Sequence, residues 1–174
     1  MTYATIHFVR YITLSILLTV SFLLLAIPRA EAYFTTNQEA VAFDDGSAIF
    51  LIEYAFGVKN RDVHMPVFAQ YSNNKASTAV SYAVFDESGA EVEGTAAGIV
   101  LSSATLDRSG MYIVPKGTAK KFTLAVVFTP RIPAQTEKKY RLQVMHLPFS
   151  FDGIQQLQLN PSELKYYTTK LIAL

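Results

Sequence analysis

"MYIVPKGTAKKFTLAVVFTP", residues 111–130, decides the fold. Pro115-Lys116-Gly117 reverses the chain, because proline presets a turn φ and glycine enters conformations closed to other residues. Beyond the turn, Phe122, Leu124, Val126 and Phe128 alternate with Thr123, Ala125 and Val127. Alternation of period two puts the first set on one face of a strand and the second on the other. A helix would scatter the same four apolar side chains around its circumference.

The pattern continues outward in both directions. In "TEKKYRLQVMHL", residues 136–147, Tyr140, Leu142 and Val144 share a face opposite Arg141, Gln143 and Met145. Upstream, strands are expected at 38–43, 48–56, 63–69, 77–86, 90–101 and 111–114. Downstream they are expected at 119–129, 139–147, 155–159 and 164–172. Asp44-Asp45-Gly46-Ser47, Glu87-Ser88-Gly89 and the segment 107–110 supply turn chemistry between them, and 70–75, built on "YSNNK", a loop. "AIFLIEYAF", 48–56, is nearly continuous in apolar content and reads as a central strand buried on both faces. Pro66 pushes its strand toward a sheet edge or a bulge. The reading is an all-β, antiparallel sandwich of about eight to ten strands.

"SYAVFDESGAEVEG", "YIVPKGTAKKFTL" and "YRLQV" resemble the middle and later strands of small bacterial immunoglobulin-like or fibronectin-like surface domains. The resemblance covers residues 77–147. Tyr140, at the mouth of a late strand after a short polar loop, is similar to the tyrosine corner of such sandwiches. What the resemblance implies is a fold and no particular ligand. The cysteine pair and buried tryptophan of antibody domains are absent, since the chain holds neither residue type.

Residues 1–32 read as a secretory signal. His7 and Arg10 precede an apolar run, 12–27, interrupted by Thr13, Ser15, Thr19 and Ser21; Pro28 then ends any helix. Ala30-Glu31-Ala32 follows, with small residues where a signal peptidase requires them, so cleavage is expected before Tyr33. The alternative is an uncleaved anchor: the run is a little short of the roughly 20 residues of a spanning helix, which tilt and bilayer thinning offset. Residues 33–174 then form one domain, large enough to need no staple. With no cysteine a lipoprotein anchor is excluded, and Asn160 is followed by Pro161, so no glycosylation sequon is intact. A secreted prokaryotic protein is the expectation.

Residues 33–107 carry ten acidic and three basic side chains, and residues 108–174 ten basic and three acidic ones. The net charge past residue 32 is zero, which argues against nucleic acid as a partner. Either strands of the two halves neutralise one another within the fold, or copies stack acidic face to basic face.

Chemistry-bearing motifs are sparse. His64 in "DVHMP" and His146 in "VMHLP" fall short of the three or four ligands of a zinc site. Asp44, Asp45, Asp86 and Glu87 would serve calcium only if their turns met, and turns select such residues anyway. Without a Gly-x-Ser-x-Gly motif or a cysteine, covalent hydrolysis has no nucleophile signal. Gly94-Thr95-Ala96-Ala97-Gly98 lacks the lysine of a phosphate loop and reads as a strand under close packing. No catalytic residue, cofactor or metal is expected. "LPFSFDG", 147–153, is the candidate contact loop, through Phe149, Phe151 and Asp152; the bland alternative is that these rings cap the core.

The expected protein is a secreted or surface-exposed, non-enzymatic β-sandwich acting in binding, adhesion or extracellular assembly with a protein or cell-surface partner. Three alternatives stand beside it. One is a polymerising subunit that donates residues 33–43, or the C-terminal "ELKYYTTKLIAL", as a strand to a neighbouring copy. Another is a carbohydrate-binding or envelope-associated enzyme domain. The last is a membrane-anchored domain that touches the bilayer only through residues 1–32.

Overall fold

The computed structural model describes residues 37–71, 78–131 and 138–174. The expected signal, its Ala30 and Ala32 cleavage positions and Tyr33 lie outside the described residues, as do positions 72–75 of the expected loop, whose first residues Gln70 and Tyr71 are strand instead, paired with Ser81 and Tyr82. Among the described residues no helix is long and apolar enough to cross a membrane.

Among the described residues the fold is all-β apart from one helical turn. Five strands cover its first half: β1 (Asn37–Ala42), β2 (Ala48–Phe56), β3 (Val63–Met65), β4 (Phe68–Tyr71) and β5 (Val80–Asp86). Next come β6 (Gly94–Ser102), β7 (Thr105–Leu106), β8 (Tyr112–Val114), β9 (Lys120–Pro130) and β10 (Lys139–His146). Then follow β11 (Pro148–Ser150), β12 (Gln156–Gln158), the turn α1 (Pro161–Leu164) and β13 (Ile172–Ala173). An eight-stranded sheet has the order β1-β2-β9-β6-β4-β5-β10-β13, and a five-stranded sheet the order β12-β11-β3-β8-β7.

The decisive stretch reads as expected. Phe122, Leu124, Val126 and Phe128 are fully buried, and so are Leu142 and Val144 of β10, with Tyr140 nearly so. Strand β2 is a correction. Ala48, Phe50, Ile52, Tyr54 and Phe56 are buried, but the residues between them are only half-buried, and β2 lies one place in from the edge. Its apolar outward residues, Ile49 and Leu51, mask the alternation in the sequence.

The large sheet curls on itself. Phe128 of β9 and Tyr140 of β10 stand four places apart in strand order, a span of roughly 19 Å in a flat sheet. Their ring centroids are 6.3 Å apart. The edges β1 and β13 also come within contact, and Gln38 Nε2 donates to the Tyr166 carbonyl at 2.7 Å. The halves β1-β2-β9-β6 and β4-β5-β10-β13 thus enclose one core while remaining joined through the β4–β6 ladder.

Two further corrections come from prolines. The expected strand 63–69 breaks at Pro66, so β3 lies in the small sheet and β4 in the large one. Likewise β10 leaves the large sheet at Leu147, and β11 begins at Pro148 in the small one. Proline cannot donate to a ladder, so it sits where pairing is handed from one sheet to the other. Strand β4 then inserts between β5 and β6 and pairs with β5 in parallel, against the all-antiparallel expectation. The expected hairpin between β5 and β6 survives only at its tip, where Asp86 N–H donates to the Ala90 carbonyl at 2.9 Å and Val92 N–H to the Val84 carbonyl at 2.8 Å.

The last expected strand, 164–172, is mostly not one. Asn160 Oδ1 accepts from Ser162 N–H and Pro161 opens α1, a capped start that diverts the chain into a helical turn. The segment Gly94–Gly98 does pack closely: a Cβ on Gly98 would lie 2.6 Å from the Tyr82 ring, and one on Gly94 2.5 Å from Phe128. Tyr140 packs by its ring. The tyrosines that reach back to main chain are instead Tyr71, to the Val92 carbonyl, and Tyr112, to the Val100 carbonyl at 3.1 Å.

Candidate functional site

Three connections meet at the small-sheet end of the molecule: residues 57–62 between β2 and β3, 115–119 between β8 and β9, and 151–155 between β11 and β12. A main-chain bond and a main-chain-to-carboxylate bond join the first two. Gly117 N–H donates to the Val58 carbonyl at 2.8 Å, and Lys116 N–H to Asp62 Oδ1 at 2.8 Å. The third is held to the first by the Arg61 guanidinium, 5.6 Å above the centre of the Phe151 ring.

Together they line a concave site of about 450 Å³. Its wall carries two cations, Arg61 and Lys116, and two carboxylates, Asp62 and Asp152. The Asn60 and Gln155 amides and the apolar Phe151 and Leu157 complete it.

Of the three contact residues read from the sequence, two reach this wall. Phe151 is half-buried and Asp152 exposed. Phe149 is turned into the core, 6 % exposed, between Phe56 at 5.2 Å and Phe151 at 5.6 Å. It supports Phe151 from below.

Asp152 holds its own loop. Its Oδ1 accepts from Ile154 N–H at 2.9 Å, Gln155 N–H at 2.8 Å and the Ser150 hydroxyl at 2.9 Å. These bonds favour the ionised form and lower its carboxyl from 3.8 to about 2. A carboxylate with a lowered folded value stabilises the loop fully above its unfolded value and loses that contribution as pH falls through the folded value. Acidification from about pH 4 to about pH 2 is therefore expected to loosen residues 151–155. An NMR titration of the Asp152 carboxyl carbon should show a midpoint near 2, with faster amide exchange at Ile154 and Gln155 following it. A midpoint near 4 would contradict the clamp.

Under this loop lies a pair that sequence reading misses. His64 Nδ1 is 2.8 Å from Asp107 Oδ2, and a Cβ on Gly153 would come within 3.7 Å of that nitrogen. The Ser109 hydroxyl, then Met111 N–H and the His64 ring, hold the Asp107 carboxyl well below the usual carboxylate range. Forty-three positions separate the two residues. The available signal was the repeat of Asp86-Glu87-Ser88-Gly89 as Asp107-Arg108-Ser109-Gly110, in which the aspartate clamps its own turn both times.

The other candidates remain apart. The Asp44-Asp45 and Asp86-Glu87 turns share one end of the large sheet, on β2 and β5, without their carboxylates gathering into one site. Among the described residues no three histidine, aspartate or glutamate side chains gather as metal ligands would. His146 ends β10 and is 8 % exposed, apart from the His64–Asp107 pair. The acidic and basic halves of the sequence interleave, since β9 lies between β2 and β6 and β10 beside β5. Glu93 and Arg131 pair at 3.0 Å across them, in an exposed position where such a bond contributes little.

No protein-family model matches the chain, and comparison with curated proteins and with solved structures finds no match either.

Proposed function

We infer that the chain is a secreted or surface-exposed β-sandwich protein of immunoglobulin-like type. It acts without catalysis, by binding at the cell envelope or in extracellular assembly, and the three-loop site is its contact face. The signal reading of residues 1–32, with cleavage after Ala32, belongs to this proposal. Two enclosing sheet halves and glycine-tipped hairpins support the sandwich reading, with the parallel β4–β5 pair as a departure from the type.

The observation that carries the binding reading is the wall of the concave site. Arg61 and Lys116 come from different loops, and among the described residues neither forms an ion pair with a carboxylate. Cations held by fixed loops and left without a carboxylate partner are what a recognition surface offers. Strand donation is less favoured: all six residues of β1 are already paired with β2, and β13 is paired with β10.

The test is retention of labelled protein, residues 33–174, on envelope preparations of the producing organism. Arg61→Ala with Phe151→Ala is expected to reduce retention about tenfold, the usual weight of a few central anchors, while Arg131→Ala at the opposite end leaves it unchanged. Equal retention of all three proteins would remove the loops as the contact face.

A further inference from the structure

We propose that the three-loop site binds an acidic saccharide, a sugar unit carrying one carboxylate among several hydroxyls. This rests on the reading of that site as the contact face and supplies its ligand class.

The argument begins with the balance of charge. Two cations and two carboxylates leave the wall neutral, so a polyanion such as an acidic peptide or a nucleic acid would meet Asp62 and Asp152 as like charges. A single anion set among neutral donors avoids that conflict. Arg61 is held over the Phe151 ring, its guanidinium carbon 5.6 Å from the centroid, and Arg is the side chain whose geometry matches a carboxylate with two parallel bonds. Lys116 offers a second, more mobile ammonium from the neighbouring loop.

Hydroxyls need acceptors as well as donors. Main-chain N–H groups engage Oδ1 of both aspartates. Each second oxygen has no hydrogen bond among the described residues and stands ready to accept one from a sugar hydroxyl. The Asn60 and Gln155 amides each present both functions. Leu157 and the half-buried Phe151 ring supply a small apolar wall for the carbon face of a pyranose ring. A volume of about 450 Å³ lies low in the range of about 300–1,000 Å³ for small-ligand sites. The loops are tied before any ligand arrives, by the Gly117–Val58 and Lys116–Asp62 bonds and the Asp152 clamp, so little ordering remains to oppose binding.

The experiment is an NMR amide titration of residues 33–174 with galacturonate and with glucuronate. Their methyl-esterified forms and tetraglutamate serve as comparisons. The expected result is that amides of residues 60–62, 116 and 151–157 shift with at least one acidic sugar. Esterification of that sugar should weaken binding at least tenfold. Arg61→Gln and Lys116→Gln should each weaken it while leaving the rest of the spectrum in place, which separates lost binding from lost fold.

Equal binding of acid and ester would overturn the carboxylate assignment, and tetraglutamate binding as tightly as the sugars would overturn the saccharide class. If no probe shifts these amides, the inference fails. Should the envelope assay still respond to the Arg61 and Phe151 variants, the contact face stands with a different ligand. If that assay is also unresponsive, the reading beneath the inference fails with it.

Discussion

Phe122→Ala is expected to lower the unfolding free energy by about 3–5 kcal/mol, the range for truncating a fully buried phenylalanine. Phe122 is fully buried. Its ring stacks on Tyr54 at 5.5 Å and meets Tyr112 edge-on at 5.8 Å. Tyr54 in turn touches the edge of Tyr167 at 5.4 Å, and Tyr112 belongs to the small sheet. One side chain therefore joins β2, β9, the small sheet and the C-terminal segment, and no neighbour can move into its space without losing another contact. The cost should sit at the upper end because the ring is fully buried and packed between two other aromatic rings. Urea unfolding of wild type and variant measures the difference, and Lys121→Ala, exposed on the opposite face, should stay within about 0.5 kcal/mol of wild type. A loss below about 1.5 kcal/mol would mean that this aromatic cluster does not hold the two sheets together.

Gly57→Ala should be nearly as damaging for a different reason. A Cβ there would lie 2.1 Å from the Thr118 carbonyl oxygen and 2.9 Å from Ala119 Cα. Both are main-chain atoms, so no rotamer change can make room, and the connection between β8 and β9 must move. Overpacking of this kind costs about 1–3 kcal/mol or more. The displaced segment includes Gly117, whose N–H bonds the Val58 carbonyl, so the variant should also show faster exchange of the Gly117 amide and a disordered Lys116 wall. Gly89→Ala is the contrast. Nothing lies within 4 Å of its Cβ position, but its φ is +85°, so its penalty is conformational, about 1 kcal/mol, and stays in its own turn. If Gly57→Ala cost no more than Gly89→Ala, the close approach of the two loops would be refuted.

Local features were legible in the sequence. Alternation over Phe122–Phe128 gave β9 its inner face, because burial on one side leaves a period of two. Glycines 46, 89, 110 and 117 all adopt positive φ at the turns where their neighbours suggested it. What failed was the choice of neighbour. Nothing in Phe68–Tyr71 says that it will insert beside Val80–Asp86 in parallel, since pairing partners far apart in sequence are set by the collapse of the whole chain. The site divides the same way. Phe151 and Asp152 stood out within one aromatic and turn-forming loop. Arg61 did not stand out and Lys116 read only as part of a turn, because only the fold brings their loops together.

The two proline corners bear on how the chain folds. Strands β3 and β4 are one continuous stretch shared between sheets, as are β10 and β11. Neither sheet can melt alone without dragging a shared stretch out of the other, so loss of structure should be all-or-none. The same threading delays the gain of structure. Ala48 must find Phe128, and Lys139 must find Ala173, before either corner has anything to bridge. A chain dominated by such distant pairings closes large loops before its contacts repay them, which places it among slow folders, on the order of milliseconds to seconds.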